Sequence, residues 1–270
     1  MNLSISNIAW NVEEDNAIRL LLSGLGIQGI EIAPTKIWER PLDYTILEAE
    51  KVKTDWASKG IRLVAMQSLL FGQSHLNLFS SDESRREMIT YLSGIIDLAS
   101  KLGISSLVFG SPKNRIAGSL SKREQYDIAV PFFYVLGTLA AKENVTICLE
   151  PNPIQYGCDF ITNSDDGIEL VREVGHPGFR LHLDAGALCL NDEDIPAAIE
   201  KSMPYLNHFH ISEPYLNLIG TESTPHIEIA NTLNMVGYQN WVSIEMKNNL
   251  SNNNVEAVEK ALLYAMEIYS

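Results

Sequence analysis

The apolar residues of this 270-residue chain alternate, eight times, between short β-like runs and longer stretches of helical period. The β-like runs are 3–10, 29–33, 61–66, 105–110, 145–150, 179–184, 206–211 and 241–246. The helical stretches are 13–24, 43–59, 82–102, 121–143, 162–174, 193–201, 224–236 and 254–269. Several of them are followed by a glycine suited to a helix C-cap, as in SGLG and SKLG. Eight strand–helix units in about 250 residues predict one α/β domain over 1–270, a single closed (β/α)8 barrel.

Composition narrows the class of protein further. The hydrophobic content of 46% is ordinary for a globular protein with a full core, and no strand is followed by a glycine-rich phosphate-binding motif. The net charge of −14 argues against a nucleic-acid partner, because such binding depends mostly on Lys and Arg neutralising phosphates. The three cysteines fit neither a disulfide framework nor a zinc knuckle. The first residues lack a secretory signal, and no window is apolar enough for a membrane helix, so we expect a soluble, cytoplasmic protein without a membrane partner.

Strong metal-ligand side chains stand at the ends of the last four predicted strands. These residues are Glu150, Asp184, His210 and Glu245. In a (β/α)8 barrel the chemistry sits at the C-terminal ends of the strands, and consecutive strands are neighbours, so the four side chains are expected to converge. Three carboxylates and one imidazole form an oxygen-rich ligand set that suits a catalytic divalent metal with open coordination positions. We expect Mn²⁺ first, with Mg²⁺, Co²⁺ or Zn²⁺ as alternatives.

Two histidines lie two positions before predicted ligands, on the same strand faces. His182 precedes Asp184 and His208 precedes His210, and residues two apart on a strand share a face. Both histidines are therefore candidates for supporting residues that orient the ligand carboxylates. The alternative is an ordinary core histidine that is hydrogen-bonded to a neighbouring strand, and the sequence leaves both readings open.

Four short motifs on these strands, CLEPNP, LHLDAG, HFHISE and WVSIEMK, resemble those of the xylose isomerase-like TIM-barrel superfamily. The likeness is greatest to its sugar isomerase and epimerase branch, which includes ketose 3-epimerases and hydroxypyruvate isomerase. The resemblance implies a divalent metal on Glu150, Asp184, His210 and Glu245, with the two glutamates also acting as catalytic acid and base. It implies proton transfer next to a sugar carbonyl through a metal-stabilised enediolate. The sequence leaves epimerisation and aldose–ketose isomerisation equally open.

The chain departs from typical ketose epimerases at two substrate-contacting positions. Ala187 stands where the family usually has a histidine, and no arginine follows His210. We expect other residues to contact a small carbohydrate, including one that is anionic or derivatised. The candidates are Lys113 and Arg115 in FGSPKNR, Lys247 after Glu245, and Glu213 and His226.

Other functions remain as alternatives. The nearest is a lyase of the same superfamily, such as a keto-inositol dehydratase, in which the enolate expels a β-hydroxyl group. An abasic-site endonuclease is disfavoured by the net charge and by the presence of only six histidines. A non-catalytic sugar-binding barrel is disfavoured by the intact ligand quartet. Barrels of this kind often associate, so a homo-oligomer is an option that the sequence does not decide.

Overall fold

The eight β-like runs form the strands of one closed parallel barrel in the computed structural model, which describes residues 1–222 and 224–269. The strands are β1 (Asn2–Ser6), β2 (Gly29–Ile32), β3 (Arg62–Met66), β4 (Ser106–Phe109), β5 (Thr146–Leu149), β6 (Phe179–Asp184), β7 (Leu206–Ser212) and β8 (Trp241–Glu245). Each strand pairs with the next in sequence, and β1 pairs with β8 to close the barrel. The predicted (β/α)8 fold is therefore confirmed.

Helices surround this barrel. They are α1 (Asp15–Leu25), α2 (Ile46–Ala57), α3 (Asp82–Leu102), α4 (Lys122–Lys142), α5 (Ser164–Val174), α6 (Ala185–Leu190), α7 (Ile195–Ser202), α8 (His226–Met235) and α9 (Asn254–Tyr269). The predicted C-cap glycines Gly26 and Gly103 follow α1 and α3 with φ of 74° and 76°, in the left-handed region that glycine enters without steric cost. In the part of the chain that is described, no helix combines the length and apolar character needed to cross a bilayer.

Two elements differ from the sequence prediction. The first strand ends at Ser6 rather than at residue 10, because a 3-10 turn over Asn7–Ala9 begins there and the Ser6 hydroxyl caps it. A short helix, α6, follows β6 with no intervening loop, although only a helix over 193–201 was expected after this strand. The carboxylate of Asp184 starts α6 by accepting a hydrogen bond from the Ala187 backbone N–H at 2.7 Å.

Strand register brings the ends of β6, β7 and β8 to nearly one level. Asp184 is paired with His210, and Glu245 is paired with Ser212, two residues beyond His210 on β7. The barrel interior below this level holds buried polar side chains, among them Glu31, His182 and His208, whereas Phe109 and Phe179 contact Phe133 of α4. Polar side chains therefore face the barrel interior, and these phenylalanines pack between the sheet and the helices.

Candidate metal centre and active site

The four predicted ligands meet at the C-terminal end of the barrel. Glu150 is the first residue after β5, Asp184 and Glu245 end β6 and β8, and His210 lies within β7. One ligand atom from each of the four lies within 4.8 Å of the others. The Nδ1 atom of His210 is 3.1 Å from Oε2 of Glu245 and 3.8 Å from Oδ2 of Asp184. The geometry thus gathers three carboxylates and one imidazole nitrogen around a common point.

A carboxylate on the opposite side of the barrel fixes the ring of His210. Glu31 of β2 is fully buried, and its Oε2 lies 3.0 Å from Nε2 of His210. The Nε2–H of His210 donates to this carboxylate, which turns Nδ1 towards the other acids, where it could bind a cation on losing its proton. Nδ1 is buried and has no hydrogen-bond partner among the described residues. An orphaned, buried nitrogen aimed at three carboxylates fits a cation ligand.

Two groups hold Asp184 in place. The Ser212 hydroxyl donates to Oδ2 of Asp184 at 2.5 Å, and the Ala187 N–H donates to Oδ1 at 2.7 Å. Ser212 is itself oriented, since its Oγ accepts from the Gly186 N–H at 2.9 Å. The start of α6 therefore fixes the rotamer of a predicted metal ligand, and Ala187 contributes to this through its backbone.

The electrostatics of the site also favour a cation. Burial, together with the negative charges of Glu245 and Asp184, raises the pKa of Glu150 to about 8. Burial and Glu245 raise the pKa of Asp184 to about 6, against the opposing charge of His210. Burial would lower the pKa of His210, but the charges of Glu31 and Glu245 hold it well above its usual value. A divalent cation would relieve this crowding of negative charge, so the donor set fits the metal that the sequence predicts.

Two neighbouring residues, Gly110 and Arg115, surround Glu150. A methyl group at Gly110, the residue after β4, would overlap the Glu150 carboxylate, so any side chain there would displace this predicted ligand. Arg115 lies nearby but is fully buried, and its Nη2 donates to the Glu150 backbone carbonyl at 2.6 Å. The structure thus places Arg115 behind Glu150, where it supports the β5 end, and not in the lining of the cavity above the four ligands that is described next. The substrate contact expected of Arg115 finds no geometric support.

A cavity of about 460 Å³ opens above the four ligands. Glu150, Asp184 and Glu245 lie in its floor, and its walls include Gln67, Ser68, Ser111, Asn152, Tyr156, Tyr215, Leu216 and Lys247. Lys247 is thus the one predicted substrate contact that lines this cavity. Ser68, Ser111, Tyr215 and Leu216 have positive φ angles of 55°, 42°, 61° and 57°. Backbone strain of this kind is common at ligand sites, where the surrounding structure maintains it.

The remaining predicted substrate residues lie elsewhere. Lys113 lines a second cavity beside the first. Glu213 and His226 are buried and paired with each other, with 3.2 Å between Oε1 and Nε2. Glu213 also accepts from the backbone N–H of Gly220 at 2.8 Å. This pair joins the loop after β7 to the start of α8, and neither residue lines the main cavity.

The two supporting histidines have different surroundings. His208 lies 3.4 Å from Oε2 of Glu31 and so reaches His210 through that shared carboxylate. His182 does not contact Asp184 as expected; its nearest carboxylate is Glu150, at 3.9 Å, and its ring nitrogens have no hydrogen-bond partner among the described residues. Burial and the charges of His210 and His208 lower the pKa of His182 well below its usual value, so this ring is neutral. The three imidazoles lie close together, but Glu31 already engages two of them.

Sequence reasoning missed Glu31, Tyr156 and Tyr215. A signal for Glu31 was present, since it is a lone acid in the apolar run GIEI and a buried strand rarely keeps an unpaired carboxylate. Tyr156 and Tyr215 lie in loops, and their rings meet edge to face with centroids 5.8 Å apart. The Tyr215 N–H donates to the Tyr156 hydroxyl at 2.9 Å. The sequence contains no pattern that predicts contact between two loops that follow different strands.

The fold and the site together define a (β/α)8 barrel with a carboxylate-rich, metal-type centre at its C-terminal end. The chain belongs to the xylose isomerase-like TIM barrel family, whose profile it matches over residues 20–267. A probable ketose 3-epimerase of Synechocystis sp. is 28% identical over 229 residues, which cover 83% of this chain and 75% of that protein. The predicted family is therefore confirmed.

Solved structures with little sequence identity share the fold. The D-psicose 3-epimerase of Clostridium cellulolyticum H10 with D-tagatose has a TM-score of 0.83 at 17% identity and covers all of both chains. The 3-keto-D-glucoside 4-epimerase of E. coli has a TM-score of 0.81 at 16% identity, covering 99% of each chain. At these identities the structural likeness establishes the fold. Because the named relatives are epimerases, the prediction of an enzyme of the isomerase class is confirmed.

Proposed function

We propose that this protein is a divalent-metal-dependent epimerase or isomerase of keto-sugars that moves a proton next to the carbonyl group. The observation that carries the proposal is the convergence of Glu150, Asp184, His210 and Glu245 within 4.8 Å at the floor of an open cavity. The similarity to a probable ketose 3-epimerase supports the same reaction class. Mn²⁺ is the first choice of metal, because the site is rich in oxygen ligands and its histidine is fixed by a buried carboxylate.

In this proposal the four ligand residues have different roles in the reaction. Glu150 and Glu245 are the carboxylates that take the proton from carbon and return it. Asp184 and His210 would help to hold the cation, fixed by Ser212 and Glu31 respectively. A bound divalent cation would polarise the substrate carbonyl and offset the negative charge of the enediolate.

Burial and neighbouring acids raise the pKa of Glu150 to about 8 in the absence of a cation, which supports a proton-accepting role for this carboxylate. Return of the proton to the opposite face of the same carbon gives epimerisation. Return to the neighbouring carbon gives aldose–ketose interconversion. Epimerisation needs an acid–base group on each face of the carbon, which the positions of Glu150 and Glu245 at the ends of β5 and β8 support, whereas aldose–ketose interconversion needs only one.

The walls of the cavity indicate how the substrate is held. Ala187 is 5% exposed and offers only its backbone N–H, to Asp184. We propose that Tyr156 and Tyr215 instead contact the sugar, with Lys247 supplying a cation at the β8 end. Aromatic rings cover the apolar faces of a sugar, while hydroxyl and ammonium groups bind its oxygens. A small carbohydrate with a carbonyl group is therefore the proposed substrate.

Deuterium exchange tests the reaction. The metal-loaded protein is incubated in D₂O with a panel of ketoses and keto-sugar derivatives, and deuterium is expected at the carbon next to the carbonyl. Glu150→Gln and Glu245→Gln should each slow exchange by about 10²–10⁴-fold, the usual range for loss of an acid–base group. Metal analysis of each variant separates loss of the cation from loss of proton transfer.

Glu213→Gln is the matched control, because Glu213 is also a buried glutamate but lies outside the cavity walls. Absence of exchange across the panel, with metal bound, would refute the proposal. A product that has lost water would instead identify a dehydratase of the same superfamily.

A further inference from the structure

A second cavity of about 440 Å³ adjoins the one above the ligand quartet. The two cavities share Ser68, Ser111 and Pro112 in their walls. Ser68 follows β3 and Ser111 follows β4, so the second cavity opens sideways from the mouth of the barrel between these two loops. Each cavity falls in the range of roughly 300–1,000 Å³ that holds a small-molecule ligand. Together they offer more room than one sugar ring needs.

The walls of the second cavity are held by a buried amide. Asn114 is 6% exposed, and its Nδ2 donates to the backbone carbonyls of Gln73 at 2.8 Å and Leu76 at 2.7 Å. The carbonyl of Asn114 accepts from the Leu78 N–H at 2.9 Å. These bonds join the loop after β4 to the loop after β3. The second cavity is therefore preformed, which lowers the entropic cost of binding a ligand there.

Two side chains give this cavity its chemistry. Phe71 is 68% exposed and lines the cavity. Lys113 is the only charged residue in the lining, and it forms no ion pair within the described ranges. An exposed aromatic residue and a lysine in the lining of one cavity suit a sugar ring, whose C–H face can pack on the aromatic ring while its hydroxyls bind the cation.

We propose that the second cavity is a subsite for a second sugar ring, so that the substrate is a keto-sugar carrying a glycosidic substituent. This inference rests on the proposed function, which places the carbonyl-bearing ring above Glu150 and Glu245. The substituent then passes the shared wall at Ser68 and Ser111 and packs on Phe71. Free ketohexoses would occupy the first cavity alone.

Binding to the Mn²⁺-loaded protein tests the subsite by titration calorimetry. The probes are D-fructose and two disaccharides whose fructose unit keeps a free ketone, maltulose and isomaltulose. At least one disaccharide should bind more tightly than fructose. Phe71→Ala should weaken that binding by roughly 5- to 10-fold, the range for one lost aromatic contact, and leave fructose binding unchanged. Tyr134→Ala, at an exposed aromatic residue of α4, should change neither.

Two results would refute the proposed subsite. One is that neither disaccharide binds more tightly than fructose, and the other is that Phe71→Ala weakens fructose and disaccharide equally. Deuterium exchange on the same sugars is a separate readout. Its complete absence would refute the proposed reaction, while tighter disaccharide binding that requires Phe71 would still support the second subsite.

Discussion

Replacing Glu31 by glutamine should weaken metal binding although Glu31 is not a predicted ligand. Its carboxylate accepts from Nε2 of His210 at 3.0 Å and lies 3.4 Å from Nε2 of His208. A hydrogen bond to a charged group contributes about 1.5–3 kcal/mol, against about 1 kcal/mol for a neutral pair. The loss of roughly 1–2 kcal/mol corresponds to about 5- to 30-fold in affinity. This agrees with the roughly 10- to 100-fold typical of residues that orient a metal ligand.

Competition with a chromophoric chelator measures the Mn²⁺ affinity of Glu31→Gln. The matched control is Glu213→Gln, which also removes a buried charge that faces a histidine, His226, but lies away from the ligand quartet. Thermal unfolding of the metal-free proteins checks that both variants fold. If Glu31→Gln kept the wild-type affinity, or if Glu213→Gln lowered it equally, Glu31 would not act by orienting His210.

Three further results are expected. Gly110→Ala should remove activity while the protein stays folded, as judged by exchange assay and circular dichroism, because the added methyl group displaces the Glu150 carboxylate. Burial would raise the pKa of Glu213, but hydrogen bonds from His226 and other neighbours lower it. Its stabilising effect should therefore be present above the ordinary pKa of 4.5 and disappear as the pH falls further. Lowering the pH through this range should reduce the free energy of unfolding, measured with urea, more for the wild type than for Glu213→Gln. Burial raises the pKa of Cys148 to about 12, so a thiol reagent at mildly alkaline pH should leave this cysteine unmodified, as peptide mapping would show.

The barrel and the ligand quartet could be predicted because both depend on periodicity. Strand-like runs alternate with helical ones eight times, and closing such a chain brings the ends of consecutive strands together. Glu150, Asp184, His210 and Glu245 each stand at or near a strand end, so topology alone makes them neighbours. No knowledge of side-chain rotamers was needed to bring these four residues together.

The supporting residues could not be predicted in the same way, because their contacts cross the barrel or depend on local capping. Glu31 of β2 meets His210 of β7, and these strands are not adjacent in the sheet. Asp184 was expected to rest on His182 of its own strand, but it is held by Ser212 and by the first turn of α6. Arg115 looked like a free cation in a polar loop, yet its guanidinium is fully buried behind Glu150.

Asp184 and Ala187 show how a metal centre and a substrate site can be altered separately. The backbone N–H of Ala187 fixes Asp184, and any residue other than proline could supply that N–H. A change of side chain at position 187 therefore leaves this backbone hydrogen bond to the ligand carboxylate available. Tyr156 and Phe71 also line the cavities, and neither forms a hydrogen bond with the four ligands in the described part of the chain. Substitutions there should change which sugar is accepted, whereas substitutions at Glu31 or Ser212 should change the affinity for metal with every sugar.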